Sequence, residues 1–320
     1  MKKVLAILLC IAMLAGFAAC GASGEPEENK TYKVGVVQLM QHDALDAATE
    51  GFEEALKAAL GDKVTVEVQN ASGDSNACST IVNSFVSAGV DLIMANATPA
   101  LQAAAQGTTT IPVLGTSVTE YGVALDIENF NGTVGGNISG TSDLAPLDKQ
   151  VEMLVELFPD AKNVGLLYCS AEPNSKYQVE QVEKFLKEKG INSTRYPFSD
   201  SNDIAAVTTS ACATSDVIYI PTDNTAAAST GVVDGICRPK KIPVIAGEEG
   251  ICSGCGVATL SISYYELGKI TGEMAAKILT GEEDVSTMAI AYDENYQKKY
   301  NPEICKELGI TPPEDYVAIG

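Results

Sequence analysis

Lys33-Val-Gly-Val-Val-Gln-Leu39 and Asn163-Val-Gly-Leu-Leu-Tyr168 are near-copies of each other, offset by 130 residues (33 to 163). Each is a short run of β-branched and apolar residues, the composition of a buried strand. Asp43 to Leu60 follows the first with apolar residues at helical spacing, and Tyr177 to Lys189 follows the second. A second pair, Asp91-Leu-Ile-Met-Ala95 and Asp216-Val-Ile-Tyr-Ile220, is offset by 125 residues (91 to 216). A third, Ile111-Pro-Val113 and Ile242-Pro-Val244, is offset by 131 (111 to 242). Between these, Val64 to Val68 reads as a strand and Ser79 to Ala88 as a helix. A short Ala-rich helix, Pro99 to Ala105, precedes the strand Ile111 to Gly115. Strands alternating with helices make βαβ units, and therefore parallel sheets flanked by helices. The chain is an α/β protein with one lobe pattern written twice. Two such lobes form a clamp, with ligand expected outside the carboxyl ends of the strands.

The N-terminus sets the expected compartment. Lys2 and Lys3, the apolar run Val4 to Leu14 and the small residues before Cys20 read as a signal peptide, residues 1–20. The apolar core is shorter than the ~20 residues a spanning helix needs; a buried helix or membrane anchor is the alternative. Ala18-Ala19-Cys20 resembles a lipoprotein lipobox, with Phe17 where that pattern prefers Leu, and so implies lipidation of Cys20. Residues 21–31 then read as a flexible tether without apolar residues to bury. The net charge of −21 becomes −23 without Lys2 and Lys3, which argues against a nucleic-acid partner. Seven cysteines remain past Cys20, an odd number in no known scaffold spacing. Cys252-Ser-Gly-Cys255 in a glycine-rich loop reads as free thiols, or else as a disulfide pair, with Cys237 as one possible partner. A zinc site would need more ligands than the single histidine, His42, can add.

Several separated motifs carry a family resemblance. VGVVQLMQHDALDAATEGFEEAL, VDLIMANATPALQAAA, PTDNT at Pro221 to Thr225, and LSISYYELGKITGEMAAKILTGE resemble the ABC-transporter substrate-binding family often linked to tryptophan and tyrosine uptake. The resemblance runs from about Tyr32 to about Gly309. It implies the type I periplasmic-binding-protein fold, two similar Rossmann-like lobes with parallel sheets joined by a three-strand hinge. It also implies that the helix Leu267 to Leu279 crosses back to the first lobe. The lobes are then expected at 32–145 plus about 262–284, and at 146–261 plus about 285–320. Met288 to Tyr292 and a final helix near Pro302 to Leu308 are expected to close the second. The sequence departs from the family at Cys169, where relatives commonly have Asn, and at Ile251 to Cys255.

The family's characterised members bind aromatic or other small amino acids, which the resemblance implies here. A free amino acid needs donors for its carboxylate and carboxylates for its ammonium. Thr98-Pro99 reads as a helix start with Thr98 as N-cap, Thr116-Ser117 follows a strand, and Ser175 to Gln178 reads as a capping box. The resemblance strengthens Thr98, Ser117 and Ser175. Asp223 is the first choice for the ammonium, with helix capping its structural alternative; Asp143, beside Ser142, and Glu248 are second choices. Asn174, Asn224 and Thr225 can serve either end of the ligand. Tyr264 and Tyr265 fall at the last crossover, one facing the cleft and one packing. His42 and Gln38 either line the ligand or pack their loop.

An enzyme is disfavoured. The turn after the first strand, LMQHDALD, lacks the glycines of a dinucleotide site, and no P-loop, GxSxG or HExxH pattern occurs. The expected protein is an extracytoplasmic lipoprotein that passes a small solute to an ABC permease and its ATPase, with no cofactor. Alternatives are a branched aliphatic amino acid, sugar or nucleoside as ligand, or a sensor kinase as partner.

Overall fold

The apolar run quoted first forms the strand next to the edge of one of two sheets. In the computed structural model, which describes residues 30–320, it is β1 (Tyr32–Gln38). The signal segment, Cys20 and the tether up to residue 29 lie outside the described residues. Helix α1 (Asp43–Leu60) follows, then β2 (Val64–Asn70), α2 (Ser75–Ala88), β3 (Leu92–Asn96), α3 (Thr98–Gly107), β4 (Val113–Val118), α4 (Tyr121–Ala124) and β5 (Ile138–Ser142). Helix α2 begins a turn earlier than its apolar period shows. Asp74 caps it by accepting the Asn76 N–H, a local bond that hydrophobic spacing does not register. At α3, Ala97 occupies the N-cap position with φ 89, so Thr98 is already helical and caps nothing.

The second half repeats the plan with α5 (Leu147–Leu157), β6 (Asn163–Cys169), α6 (Pro173–Glu188), β7 (Asn192–Phe198), α7 (Ile204–Cys212), β8 (Val217–Ile220), α8 (Asn224–Ala227), α9 (Thr230–Cys237), β9 (Val244–Ala246), α10 (Glu249–Cys255) and β10 (Ala258–Ser261). The tail adds α11 (Tyr264–Thr280), β11 (Ala291–Tyr292), β12 (Gln297–Tyr300), α12 (Pro302–Leu308) and β13 (Val317–Ala318). Three sequence expectations change here. Glu172 is the N-cap residue of α6, which places Ser175 in its first turn and removes the capping box. Cys252 and Cys255 sit on α10, a short helix held by Glu248, which accepts the N–H groups of Gly250 and Ile251. Tyr264 and Tyr265 stand at the crossover after β10, as the opening residues of a helix in place of a strand ladder.

The first sheet has the order β11-β5-β4-β3-β1-β2 and is parallel throughout. The second runs β13-β12-β10-β9-β8-β6-β7, with only β12 antiparallel to β10. Helix α11 returns to the first lobe and lies against α1 at close range. A Cβ on Gly51 would overlap the Tyr265 carbonyl oxygen, and one on Gly268 would overlap that of Ala48. Met288 to Tyr292 does not close the second lobe. β11 pairs with Thr141 and Ser142 of β5, Met288 belongs to the same buried core as Val36 and Leu114, and Ile290 to the one that holds Tyr121. An edge strand of two residues carries too little pattern for its sheet to be read from sequence. The chain crosses between lobes three times, after β5, after β10 and between β11 and β12.

Candidate functional site

The strand ends of both lobes converge on one narrow cavity. From the first lobe come His42, Ala44 and Leu45 after β1, Ser117 in β4, Asp143 past β5 and Tyr264 at the start of α11. From the second come Asn174 on α6, Thr222 to Asn224 after β8, Ala227 on α8 and Glu248 after β9. The parallel topology causes this convergence, because every strand delivers its C-terminal turn to the same edge.

Four carboxylates stand at or just behind the cavity wall, and hydrogen bonding divides them. Each oxygen of Asp223 has a partner: Oδ1 accepts the Ala226 N–H at 2.8 Å and Oδ2 the Cys169 N–H at 2.6 Å. Glu248 is engaged by the Gly250 and Ile251 amides. Glu172, which the sequence reading did not single out, holds α8 in place. Its Oε1 accepts from the Thr225 N–H (2.9 Å) and Oγ1 (2.8 Å), and Oε2 from the Asn224 N–H (3.0 Å) and Nδ2 (2.8 Å). Asp143 differs. Tyr264 donates its hydroxyl to Oδ2 at 2.8 Å, while Oδ1 is buried without a partner. Ser117 Oγ and Asn174 Oδ1 are likewise buried and unpartnered, so three of the six such atoms among the described residues belong to residues that line this one cavity. Ser117 also has φ 53, in the left-handed region, where the β4–β5 register shifts. Strain of this kind costs ~1–3 kcal/mol and collects at ligand sites.

No Lys or Arg is among the lining residues. Burial raises the Asp143 carboxyl above its ordinary range, against the hydrogen bond from Tyr264. Burial, then the nearby Glu172 carboxylate, pushes Asp223 up to about 8. Burial is the main cause for Glu248, pushed up to about 7. His42 is lowered by burial, partly offset by its hydrogen bond to Asn224 and by the acidic neighbours. The cavity is therefore short of positive charge.

Direct bonds join the lobes across it. His42 Nε2 meets Asn224 Oδ1 at 3.3 Å, Thr119 Oγ1 meets Thr222 Oγ1 at 3.4 Å, and Gln178 Nε2, which also donates to Thr222 Oγ1 within the second lobe, donates to Thr119 Oγ1 at 3.3 Å. The structure thus brings His42, Ser117, Asp143, Asn174, Asp223, Asn224, Glu248 and Tyr264 together. It leaves the other candidates behind the wall. Gln38 is bonded to Asp46 and Thr49, Thr116 accepts from Thr141, Ser142 donates to the Thr119 carbonyl, and Thr225 serves Glu172. Thr98 and Ser175 are buried outside the lining. Cys169 is buried, its thiol donating to the Ser199 carbonyl at 3.5 Å and its N–H to Asp223. Tyr265 lies outside, bonded to Glu54 at 2.6 Å. Glu172 could have been suspected only as an acidic residue before Pro-Asn at a helix start.

Residues 33–319 match the family model of the ABC transporter substrate binding protein. The chain belongs to this family. Substrate-binding proteins of ABC transporters carry a solute to a permease outside the cytoplasm and are not enzymes. Among curated relatives, a "Tyrosine-binding protein" of Clostridioides difficile is 35% identical over 297 residues, covering 88% of this chain and 85% of that one. Among solved structures, a Streptococcus pneumonia ABC domain in complex with L-Trp is 31% identical, with a TM-score of 0.84 over 89% of this chain and 97% of that chain. A ligand-free, open substrate-binding protein with adhesive properties from Clostridium difficile is 37% identical, with a TM-score of 0.70 over 90% and 99%. This substrate-binding protein superposes better on the L-Trp complex than on the open form, although its sequence is nearer to the latter. The bonds across its cleft agree with lobes drawn together.

Proposed function

We propose that this substrate-binding protein collects a free aromatic amino acid for an ABC importer, held at the membrane by lipidation of Cys20. The observation that carries the ligand class is the set of three unpartnered oxygens on an acidic, cation-poor wall. Buried polar atoms without partners cost ~1–3 kcal/mol each, a cost that a ligand completing them removes. The α-ammonium sits against Asp143 Oδ1, with Asn174 Oδ1 as a second acceptor. The Ser117 hydroxyl is free to donate to the carboxylate. Ala44, Leu45 and Ala227 give the side chain apolar contact. Aromatic rather than aliphatic ligands are favoured by the names of the two relatives that carry one, tyrosine and L-Trp. Both lobes supply contacts, so ligand stabilises the closed state and shifts the hinge population toward it.

The test is calorimetric titration of residues 31–320, stripped of bound solute by unfolding and refolding, with Tyr, Trp, Phe, Leu, glucose and adenosine. Binding of an aromatic amino acid tighter than Leu is the expected result. Binding of only the sugar or nucleoside would sink the amino-acid reading. The lipid anchor is tested separately, by labelling expressing cells with an alkynyl fatty acid; label must vanish in Cys20→Ser.

A further inference from the structure

Seven cysteines lie among the described residues, all buried and none in a disulfide. Two of them touch. Cys212 ends α7, Cys237 ends α9, the two helices pack side by side, and the sulfurs are 3.5 Å apart. We propose that Cys212 and Cys237 are a redox pair that closes to a disulfide when the exported protein meets a disulfide oxidant.

The contact is within ~1.5 Å of the S–S bond length of ~2.05 Å, a gap that χ1 rotation with a small helix shift can close. Both cysteines sit at the last turns of their helices, where backbone gives more readily than mid-helix. A protein working outside the cytoplasm meets disulfide oxidants that a cytosolic one does not. The pair is also asymmetric. Cys212 is the more exposed, 7% against 2% for Cys237. Its thiol is lowered chiefly by its hydrogen bond with Cys237 and further by Lys240, while that of Cys237 is raised. The chemistry follows that order. The Cys212 thiolate attacks one sulfur of a low-molecular-weight disulfide and expels one thiolate, forming a mixed disulfide. The Cys237 thiolate attacks the Cys212 sulfur and expels the second. Two protein thiols are oxidised and one disulfide is reduced to two thiols, which take up both protons.

The bond would close the segment that contains β8, Thr222 to Asn224 and α8, the second lobe's contribution to the cleft wall. Its effect is to restrain the unfolded chain, so the melting temperature of the oxidised protein should be higher by roughly 5 °C.

The sequence makes the pair easy to read. No Lys or Arg lies between Arg195 and Arg238, and Pro239 follows Arg238, so trypsin releases one peptide, 196–240, holding these two cysteines and no other. The folded full chain is incubated with oxidised glutathione, denatured in iodoacetamide, digested and weighed, with a urea-unfolded sample in parallel. The expected peptide is unalkylated and lighter by two hydrogens, and the rise in melting temperature is reversed by dithiothreitol and absent in Cys212→Ser. Cys237→Ala serves if that variant fails to fold. A peptide from folded protein carrying two alkyl groups, or glutathione on Cys212 without closure, would overturn the proposal.

Discussion

Asp143→Asn isolates the one cleft carboxylate with a free oxygen. The substitution keeps the shape and keeps an oxygen to accept the Tyr264 hydroxyl (2.8 Å in the native protein), but removes the charge that faces the cavity. A hydrogen bond between charged partners contributes ~1.5–3 kcal/mol, and stranding a buried charge costs ~3–5 kcal/mol. Taking about 3 kcal/mol for a liganded ammonium, the Kd for the amino acid should rise about 100-fold, at about 1.4 kcal/mol per tenfold. The ligand-free variant should melt no lower than the native protein, because burial already disfavours the Asp143 charge. Calorimetry and thermal melts on the same sample separate the two effects. The raised Asp143 carboxyl adds a pH signature. Protonation removes the ammonium's partner, so native affinity should fall on acidification while the pH is still above the ordinary carboxylate range, and the Asn variant should not show that loss. A Kd within about threefold of native, or an equal loss in Asp223→Asn, would refute the assignment of the ammonium to Asp143.

Three further outcomes follow from the packing and the charges. Asp223→Ala removes the α8 N-cap and the acceptor of the Cys169 N–H; it should cost ~1–2 kcal/mol, a drop of a few degrees in thermal melts without ligand. Asp223 and Glu248 are raised to about 8 and about 7 from unfolded values near 4. Between those limits the folded chain holds more protons than the unfolded one, so stability without ligand is fullest below about pH 4 as far as these two groups go and declines as pH rises toward 8. Urea melts at pH 5 and pH 8 should show the decline, and Glu248→Gln should flatten it. Gly268→Ala drives a methyl into the Ala48 carbonyl at the α1–α11 contact. Overpacking there should cost ~1–3 kcal/mol, and an unchanged denaturation midpoint would show that the helices can part without penalty.

The elements that the sequence determined are those whose side chains repeat a local rule. The matched runs at 33 and 163 are strands because their apolar residues suit two buried faces, and α1 is bounded by its own periodicity from Asp43 to Leu60. The repeat of these units is enough for two α/β lobes, and parallel topology then puts Ser117, Asp143, Asp223 and Glu248 at one edge. The family's motifs are equally local, so the residues alone carry the resemblance. What the tertiary structure decided is which atoms remain free there. Asp223 and Asp143 look alike as residues after strands. Amides of α8 and β6 give each oxygen of Asp223 a partner, whereas Tyr264, 121 residues away, satisfies only one oxygen of Asp143. The place of Met288 to Tyr292 in the first sheet, the role of Glu172 under α8 and the meeting of Cys212 with Cys237 are of the same kind. Each depends on a hydrogen bond or contact between segments far apart in the chain, and propensity and periodicity carry no information about such partners.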